Sequence, residues 1–482
     1  MALWQKPAAV RRPLRARDEP STRSMPLPAA IYSSHKGIAT TIIRSALVLL
    51  FVASTAFAQD TARMEQVVQT YVQNGTFMGA VLVARGTDMI LNQGYGSANL
   101  EWDIPNTPTT KFRLGSITKQ FTAPSILLLE ERCRLGTSDS IKKHIPDAPA
   151  AWNAITIHHL LTHTSGIPNF TGLKEYAALR GTSTTVDKTI AVFRDRPLDF
   201  PAGEKMSYSN SGYLVLGHLI EKLSGGSYEA FLQSNLFTPI GMTDSGYDSN
   251  TRIIPRRADG YLPGSGGFNN SGFVHMTVPH AAGALYSTTG DLLKWERALF
   301  GGQVLSARSL QKMLTPEKNN YAYGLTVRTT NGRKAISHNG GIDGFNSAMG
   351  YYPDSGFTII VLGNVNGSAP DQMLLQLGAV ARGETVRLSS ERKEMALPAT
   401  AAKYAGVYDM APGITMTITH DGLRLFGQLT GQQPIEMFAE SETAFFVKVV
   451  DAQITFGVEA GAATHLVLHQ AGRDLKGIRR HP

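Results

Sequence analysis

The sequence predicts an α+β protein that continues into a small all-β domain. Two largely apolar runs, residues 120–129 and 213–220, have the length and composition of buried helices. A short strand pattern at residues 333–337 leads into a glycine-rich stretch, and after residue 400 the pattern changes to short alternating runs separated by turn residues. With 42% hydrophobic residues over 482 positions, the chain has enough apolar side chains for a sizeable core.

The front of the chain, residues 1–58, predicts an export signal with a basic leader. Arg44 precedes a short apolar stretch at residues 45–53, and Ala56 and Ala58 mark a cleavage site after Ala58. The apolar stretch is shorter than the ~20 residues that a membrane span needs. We therefore expect an exported protein, periplasmic or secreted, with no stable membrane span after cleavage; an uncleaved signal anchor is the alternative.

The net charge of +8 is concentrated in the same leader. Residues 1–58 carry +6, which leaves about +2 for the rest of the chain, where no basic stripe or nucleic-acid motif occurs. This excludes nucleic acid as a partner and favours a small-molecule or peptide substrate, whereas the oligomeric state stays open. Cys133 is the only cysteine, so no intramolecular disulfide can form.

The first motif with chemical meaning is Ser116-Ile-Thr-Lys119. Gly115 permits a tight entry into the predicted helix and places Ser116 in its first turn, where free backbone N–H groups and the helix dipole favour a developing anion. Lys119, three residues on, lies on the same helical face. Burial lowers the pKa of such a lysine, which makes it a candidate proton acceptor for a serine nucleophile. An N-capping serine beside a snorkelling lysine is the structural alternative.

The second motif is Tyr208-Ser-Asn210, in a small polar loop ahead of the second apolar helix. Such a loop can deliver the Tyr208 and Asn210 side chains into a cleft. A tyrosine with the ordinary pKa of about 10 is a poor base unless cations stabilise its phenolate. Lys119 and a charged His338 are the candidate cations, and a capped turn with a packing tyrosine is the structural alternative.

The third motif is His338-Asn-Gly340, where a short strand enters the glycine-rich stretch. Glycines there let a substrate backbone lie close against the strand edge. The backbone N–H groups of Ser116 and Gly341 are the candidate oxyanion hole, which contributes about 10²–10³ in rate per donor. Asn210, His338 and Gly340 are the candidate substrate-positioning residues.

Order and context select these motifs from patterns that recur. Ser-x-x-Lys occurs five times, starting at Ser33, Ser116, Ser140, Ser309 and Ser390. Tyr-x-Asn occurs once. His158, His159 and His163 lie close together, but the glutamate of a His-Glu-x-x-His zinc motif is missing, so we interpret them as structural. We predict no metal site and no cofactor.

In this order and combination the motifs resemble those of the serine beta-lactamase-related hydrolases. This clan comprises penicillin-binding proteins, class C beta-lactamases, D-alanyl-D-alanine carboxypeptidases and family VIII esterases. Residues 77–83 with 94–99 resemble its first hairpin, and residues 155–168 and 282–291 resemble two further stretches. The resemblance covers residues 62–385. It implies an antiparallel sheet flanked by helices, an all-helical subdomain inserted between the first and third motifs, and an active site at their junction.

The resemblance also implies a serine hydrolase that works through an acyl-enzyme on Ser116, with Lys119 and Tyr208 in proton transfer. Which of the two takes the first proton stays open, since they would titrate as a coupled pair. The third motif begins with His338, as in carboxypeptidases, aminopeptidases and esterases, rather than with the lysine of beta-lactamases. We therefore expect peptide, amide or ester substrates, as of a D-alanyl carboxypeptidase, aminopeptidase or beta-lactamase-like enzyme. A family VIII-type carboxylesterase and a catalytically silent penicillin-binding-like protein are the alternatives.

The end of the chain predicts a separate unit. Residues 386–400 are polar and aperiodic, as a linker would be, and precede the domain at residues 401–482. Its alternating runs are residues 414–419, 423–426, 444–449, 454–458 and 465–468. Turn signals between most of them indicate a small antiparallel barrel, which is similar to the lipocalin-like appendage of some of these hydrolases.

Overall fold

The computed structural model describes residues 60–264, 266–330, 332–448, 452–470 and 473–480. The predicted signal and leader, residues 1–58, lie outside the described residues. An α+β part extends to residue 381 and an eight-stranded barrel follows residue 405, which confirms the predicted fold class. In the part of the chain that is described, no helix is both long and apolar enough to cross a bilayer.

The α+β part alternates long and very short elements. In chain order these are α1 (residues 60–73), β1 (Gly79–Arg85), β2 (Asp88–Tyr95), β3 (Ser97–Asn99), β4 (Ile104–Pro105), β5 (Phe112–Arg113), α2 (Lys119–Glu131), α3 (Ile141–His144), α4 (Ile157–Leu161), α5 (Tyr176–Leu179), α6 (Val186–Ala191), α7 (Asn210–Ser224), α8 (Tyr228–Leu232), β6 (Gly246–Tyr247), β7 (Tyr261–Gly264), β8 (Gly267–Asn270), α9 (His280–Gly283), β9 (Leu285–Ser287), α10 (Thr289–Phe300), α11 (Ala307–Met313), β10 (Thr326–Thr330), β11 (Arg333–Ile342), β12 (Phe345–Tyr352), β13 (Phe357–Gly363) and α12 (Ala369–Ala381). The three motifs fall at the start of α2, at the start of α7 and in β11.

One six-stranded antiparallel sheet, in the order β10-β11-β12-β13-β1-β2, organises this part. Alternate residues of a strand point to opposite faces. Leu82 of β1 therefore packs in the core shared with α2 and α7, and Val83 packs in the core shared with α1 and α12. Because both faces are covered, β1 and β13 are almost continuously apolar rather than alternating.

Helices α3 to α8 form a helical region between the first and third motifs. At its centre is α7, whose residues 213–216 are completely buried. The inserted segment is not purely helical: β6 and β9 pair beside β5, and β7 and β8 form a hairpin. These strands have only two to four residues, too few for an alternating pattern to stand out in the sequence.

Helix α10 buries a carboxyl group against the sheet. Glu296 is 3% exposed, and its Oε2 has no hydrogen-bond partner among the described groups. Burial raises the pKa of Glu296 to about 8, while a hydrogen bond with Thr358 acts in the opposite direction. The unfolded chain releases this proton near pH 4.5. The stability that the protonated form contributes is therefore complete below pH 4.5 and is lost as the pH rises through about 8, by about 1.4 kcal/mol per pH unit.

We expect Glu296→Gln to remove this pH dependence, because glutamine stays neutral in both states. The urea midpoint of the variant should exceed that of the wild type at pH 8 and approach it at pH 4.5. The exposed Glu317, changed to Gln, serves as the control and should leave the wild-type trend in place. Parallel stability–pH curves for wild type and Glu296→Gln would contradict the assignment.

The second part of the chain is a closed barrel of eight antiparallel strands. They are β14 (Gly406–Ala411), β15 (Ile414–His420), β16 (Leu425–Leu429), β17 (Ile435–Ala439), β18 (Ala444–Val447), β19 (Ala452–Glu459), β20 (Ala462–Gln470) and β21 (Arg473–Arg479). Each pairs with the next, and β14 closes the barrel onto β21. Tyr404, from a 3₁₀ turn before β14, fills the interior and stacks on Phe456 with ring centroids 4.2 Å apart. The predicted barrel is confirmed.

The linker and barrel contact α1. Arg63 of α1 forms a two-contact ion pair with Glu391, in which Nη2 lies 2.7 Å from Oε2. Asn74, just after α1, donates to the carbonyl oxygen of Lys448 at 2.9 Å. Because α1 covers the sheet face opposite α2, these contacts lie on the side of the sheet away from the first motif.

Candidate active site

Ser116 lies in a short 3₁₀ turn, Gly115–Thr118, that runs directly into α2. It therefore precedes α2 instead of occupying its first turn. Gly115 has a φ of +53°, and a Cβ at this position would lie 2.8 Å from the backbone nitrogen of Gly341. Conformation and space both require glycine here. The tight turn places the half-buried Ser116 against β11.

Lys119 is completely buried beside Ser116. Its Nζ lies 3.0 Å from Ser116 Oγ, 2.8 Å from Asn210 Oδ1 and 2.7 Å from the carbonyl oxygen of Ala282. Burial lowers the pKa of Lys119 well below its usual value of 10.5. A neutral amine has two N–H groups and one lone pair. As an ammonium, Lys119 donates to all three oxygens; as a neutral amine, it donates its two N–H groups to Asn210 and Ala282 and directs its lone pair at the Ser116 hydroxyl.

Tyr208 covers Lys119 from the other side. The Lys119 Nζ lies 4.9 Å from the centre of the Tyr208 ring, and the phenol hydrogen-bonds with Ser116. The residue as a whole is 36% exposed, yet desolvation of the phenol raises its pKa above 10, and the bond to Ser116 opposes this only in part. The Tyr208 phenol is therefore protonated at neutral pH.

His338 of β11 is buried and neutral. Its Nδ1 lies 2.5 Å from the carbonyl oxygen of Asn339, so Nδ1 carries the hydrogen and donates, and Nε2 accepts from the Tyr321 hydroxyl at 3.0 Å. Burial lowers the pKa of His338 to about 4, and positive charge on Lys119 acts in the same direction. A charged His338, one of the two candidate cations for Tyr208, is therefore disfavoured at neutral pH, because desolvation penalises the imidazolium.

Strand β11 passes the first motif at Gly340 and Gly341. A Cβ at Gly340 would lie 1.9 Å from the carbonyl oxygen of Leu114 and 3.2 Å from the nitrogen of Ser116. The two backbone segments predicted to form the oxyanion hole therefore lie side by side, and only glycine permits the approach. A Cβ at Gly344, in the turn after β11, would lie 2.5 Å from the Cα of Gly260, so the loop before β7 borders this end of the strand.

The structure brings all seven predicted site residues together and adds three groups that sequence reasoning missed. They are the Ala282 carbonyl, Tyr321 and His163. Ala282 and His163 lie within stretches that resemble the hydrolase clan, which was a usable signal, whereas Tyr321 belongs to no motif.

The other two histidines of the predicted structural cluster have partners of their own. His158 hydrogen-bonds with the Tyr323 hydroxyl at 2.8 Å, and His159 caps the start of α4. Among the described residues, no group of histidine, cysteine or carboxylate side chains has an arrangement that could hold a metal ion.

Comparison with known protein families divides the chain in two. The family model described as Beta-lactamase matches residues 64–381, and the model described as Domain of unknown function (DUF3471) matches residues 391–479. Penicillin-binding protein 4* of Bacillus subtilis (strain 168) is 28% identical over 446 residues, which is 86% of this chain and 98% of that protein. The similarity to this relative therefore extends through both parts.

Solved structures share the fold. The octameric penicillin-binding protein homologue from Pyrococcus abyssi superimposes with a TM-score of 0.62 at 24% identity, over 87% of this chain and 99% of that one. D-amino acid amidase from Ochrobactrum anthropi SV3 gives a TM-score of 0.55 at 24% identity, over 63% and 93% of the two chains. The Beta-lactamase model alone spans more than half of the sequence. The chain therefore belongs to the beta-lactamase family of serine hydrolases.

Proposed function

We propose that the protein hydrolyses peptide or other amide bonds through an acyl-enzyme on Ser116, as a D-alanyl carboxypeptidase, aminopeptidase or related amidase does. The observation that carries this proposal is the contact of 3.0 Å between Ser116 Oγ and the Nζ of the completely buried Lys119. No carboxylate among the described residues is within ion-pairing distance of Lys119. Its desolvation is therefore not offset by a counter-ion, which favours the neutral amine that a base must be.

Acylation follows from these contacts. Ser116 Oγ attacks the acyl carbon and its proton passes to Lys119 Nζ, while the backbone N–H groups of Ser116 and Gly341 hold the oxyanion. Tyr208 donates its phenol proton to the leaving nitrogen or oxygen as that bond breaks. The acyl-enzyme then contains a Lys119 ammonium and a Tyr208 phenolate, and their attraction offsets the cost of ionising the tyrosine.

Deacylation returns both protons. The Tyr208 phenolate takes a proton from a water molecule, whose oxygen attacks the ester carbonyl, and the Lys119 ammonium protonates Ser116 Oγ as it leaves. Asn210 holds Lys119 in place throughout, because its Oδ1 accepts from Nζ at 2.8 Å. Lys119 is thus the first proton acceptor in acylation and Tyr208 the donor.

The neutral state of His338 affects which class of substrate the site favours. A lysine at the start of the third motif would supply a fixed positive charge for a substrate carboxylate, and neutral His338 does not. This disfavours efficient beta-lactam hydrolysis and gives ester hydrolysis, as by a family VIII-type carboxylesterase, a place as the second candidate. The relatives are named as a penicillin-binding protein and a D-amino acid amidase. These names favour amide substrates over esters.

Initial rates on four substrates decide between the candidates: a D-Ala-D-Ala peptide, a D-amino acid amide, a p-nitrophenyl ester and a penicillin. We expect turnover of the peptide or the amide, and a penicillin adduct that forms without rapid release. Turnover of the ester alone would replace the proposal with the esterase. An absence of both turnover and adducts in folded protein would favour the hypothesis of a catalytically silent penicillin-binding-like protein.

We also propose that the protein is exported and acts in the periplasm or outside the cell. The proposal is supported by the basic residues, the short apolar stretch and the Ala56-x-Ala58 site of the leader. Intact mass of the protein recovered from the cell envelope or medium tests it. A mature chain that begins at Gln59 is expected, and full-length protein confined to the cytosol would overturn the proposal.

A further inference from the structure

His163 holds the loop that carries Tyr208 on both sides of the tyrosine. Its backbone carbonyl accepts from the N–H of Ser207 at 2.9 Å, and its Nδ1 accepts from the N–H of Ser209 at 3.2 Å. Its ring packs on the Tyr208 ring, with centroids 4.2 Å apart. One residue therefore contacts Tyr208 and the backbone of both neighbours.

The conformation of His163 is unfavourable for folding. Its φ of +58° lies in the left-handed region that a histidine seldom adopts. Because Nδ1 accepts a hydrogen bond, the neutral ring carries its hydrogen on Nε2. That nitrogen is buried without a partner among the described groups, and the residue is 2% exposed. Both features reduce stability, which points to a functional reason for a histidine at this position.

The surroundings of the ring also keep it uncharged. Burial lowers the pKa of His163 well below its usual value, and positive charge on Lys119 or His338 acts in the same direction. Because the His163 ring is uncharged, it does not stabilise a Tyr208 phenolate at the stage when Lys119 is still neutral.

We propose that His163 is a positioning residue for the reaction: by holding Ser207 and Ser209 and packing on the ring between them, it fixes Tyr208 for proton donation to the leaving group. The proposal rests on the proposed function, in which Tyr208 protonates that group. It has a specific consequence. A leaving group that departs without a proton does not need a well-placed Tyr208, whereas an alkoxide or an amide nitrogen does.

The test compares kcat/KM for a p-nitrophenyl ester and an alkyl ester of the same acyl group, since kcat/KM reports acylation. We expect His163→Ala to lower kcat/KM for the alkyl ester by about 10²-fold and that for the p-nitrophenyl ester by less than about 10-fold. The double variant His163→Ala/Tyr208→Phe should be no slower on the alkyl ester than Tyr208→Phe alone, because both changes remove the same step.

Two further variants keep the test decisive. His163→Asn retains an acceptor near the Nδ1 position and tolerates a positive φ, so it should recover part of the alkyl-ester activity and preserve folding. His158→Asn, whose imidazole contacts Tyr323 instead of Tyr208, is the matched control and should leave both rates unchanged. Equal losses on both esters, or additive losses in the double variant, would overturn the role of His163. A wild type inactive on both esters and also on the D-Ala-D-Ala peptide and the D-amino acid amide would instead overturn the proposed function.

Discussion

Ser116→Ala is expected to abolish acyl-enzyme formation and to lower kcat/KM by a factor on the order of 10⁴–10⁶. Removing the hydroxyl leaves Lys119 and Tyr208 with no nucleophile to activate, so only binding and the oxyanion hole remain. The measurement is intact-mass spectrometry after incubation with a fluorophosphonate, together with substrate turnover. The wild type should gain the mass of one adduct and the variant none.

Ser140→Ala is the matched control, because Ser140 also begins a Ser-x-x-Lys sequence. Ser140 caps α3, and Lys143 is a surface residue paired with Asp139 at 3.0 Å. Lys143 is exposed to solvent and contacts a carboxylate, so it lacks the burial beside a serine that Lys119 has. The control should therefore label and turn over like the wild type, at the cost of about 1 kcal/mol of stability from the lost cap. Labelling that survives in Ser116→Ala would identify another nucleophile.

Lys119→Met is expected to lower kcat/KM by about 10²–10⁴-fold, the range of a lost general base. Methionine fills the buried space but has no lone pair for the Ser116 proton. The pH profile tests the assignment more sharply. Burial lowers the pKa of Lys119, so the wild type is active above this lowered value and loses activity as the pH falls through it. The acid limb of the profile should disappear in the variant.

The matched control is Lys111→Met. Lys111 is also buried, but its Nζ forms an ion pair with Asp244 at 3.1 Å instead of contacting the nucleophile. This change should reduce stability and leave the shape of the pH profile intact. A Lys119→Met variant that retains the acid limb would transfer the base role to another group, with Tyr208 the first to test.

Local spacing explains why part of the site could be predicted from the sequence. Ser116 and Lys119 are three residues apart where the 3₁₀ turn runs into α2, a spacing that puts their side chains within reach of each other, and the two polar atoms lie 3.0 Å apart. Gly115 was predicted to permit a tight entry into the helix, and its φ of +53° agrees with this. Gly340 was predicted to let a substrate backbone lie close, and the backbone that it meets in the structure is that of Leu114.

The short strands of the inserted region and the barrel strands β14, β17 and β21 were missed. In β17 the outward-facing Phe438 is apolar like its buried neighbours, so the sequence does not alternate between apolar and polar residues and the strand is hard to recognise.

Other parts of the site have no sequence pattern because they depend on long-range packing. The Ala282 carbonyl is a backbone group, 163 positions from Lys119, and any residue type could supply it. Tyr321 reaches His338 from a loop with no motif. A charged His338 was one candidate cation in the sequence, and its pKa of about 4 disfavours that role, since this pKa follows from burial and not from residue type.

The sequence by itself determined the family, the fold class, the barrel and the identity of the groups that can do chemistry. These follow from residue types and short spacings, which the chain carries before it folds. Only the tertiary structure decided the state of those groups. Complete burial leaves Lys119 favouring its neutral form, burial likewise keeps His338 uncharged, and His163 holds the Tyr208 loop from the turn after α4. Solvation and hydrogen-bond partners come from residues far apart in the chain, and they become defined only when the chain has folded.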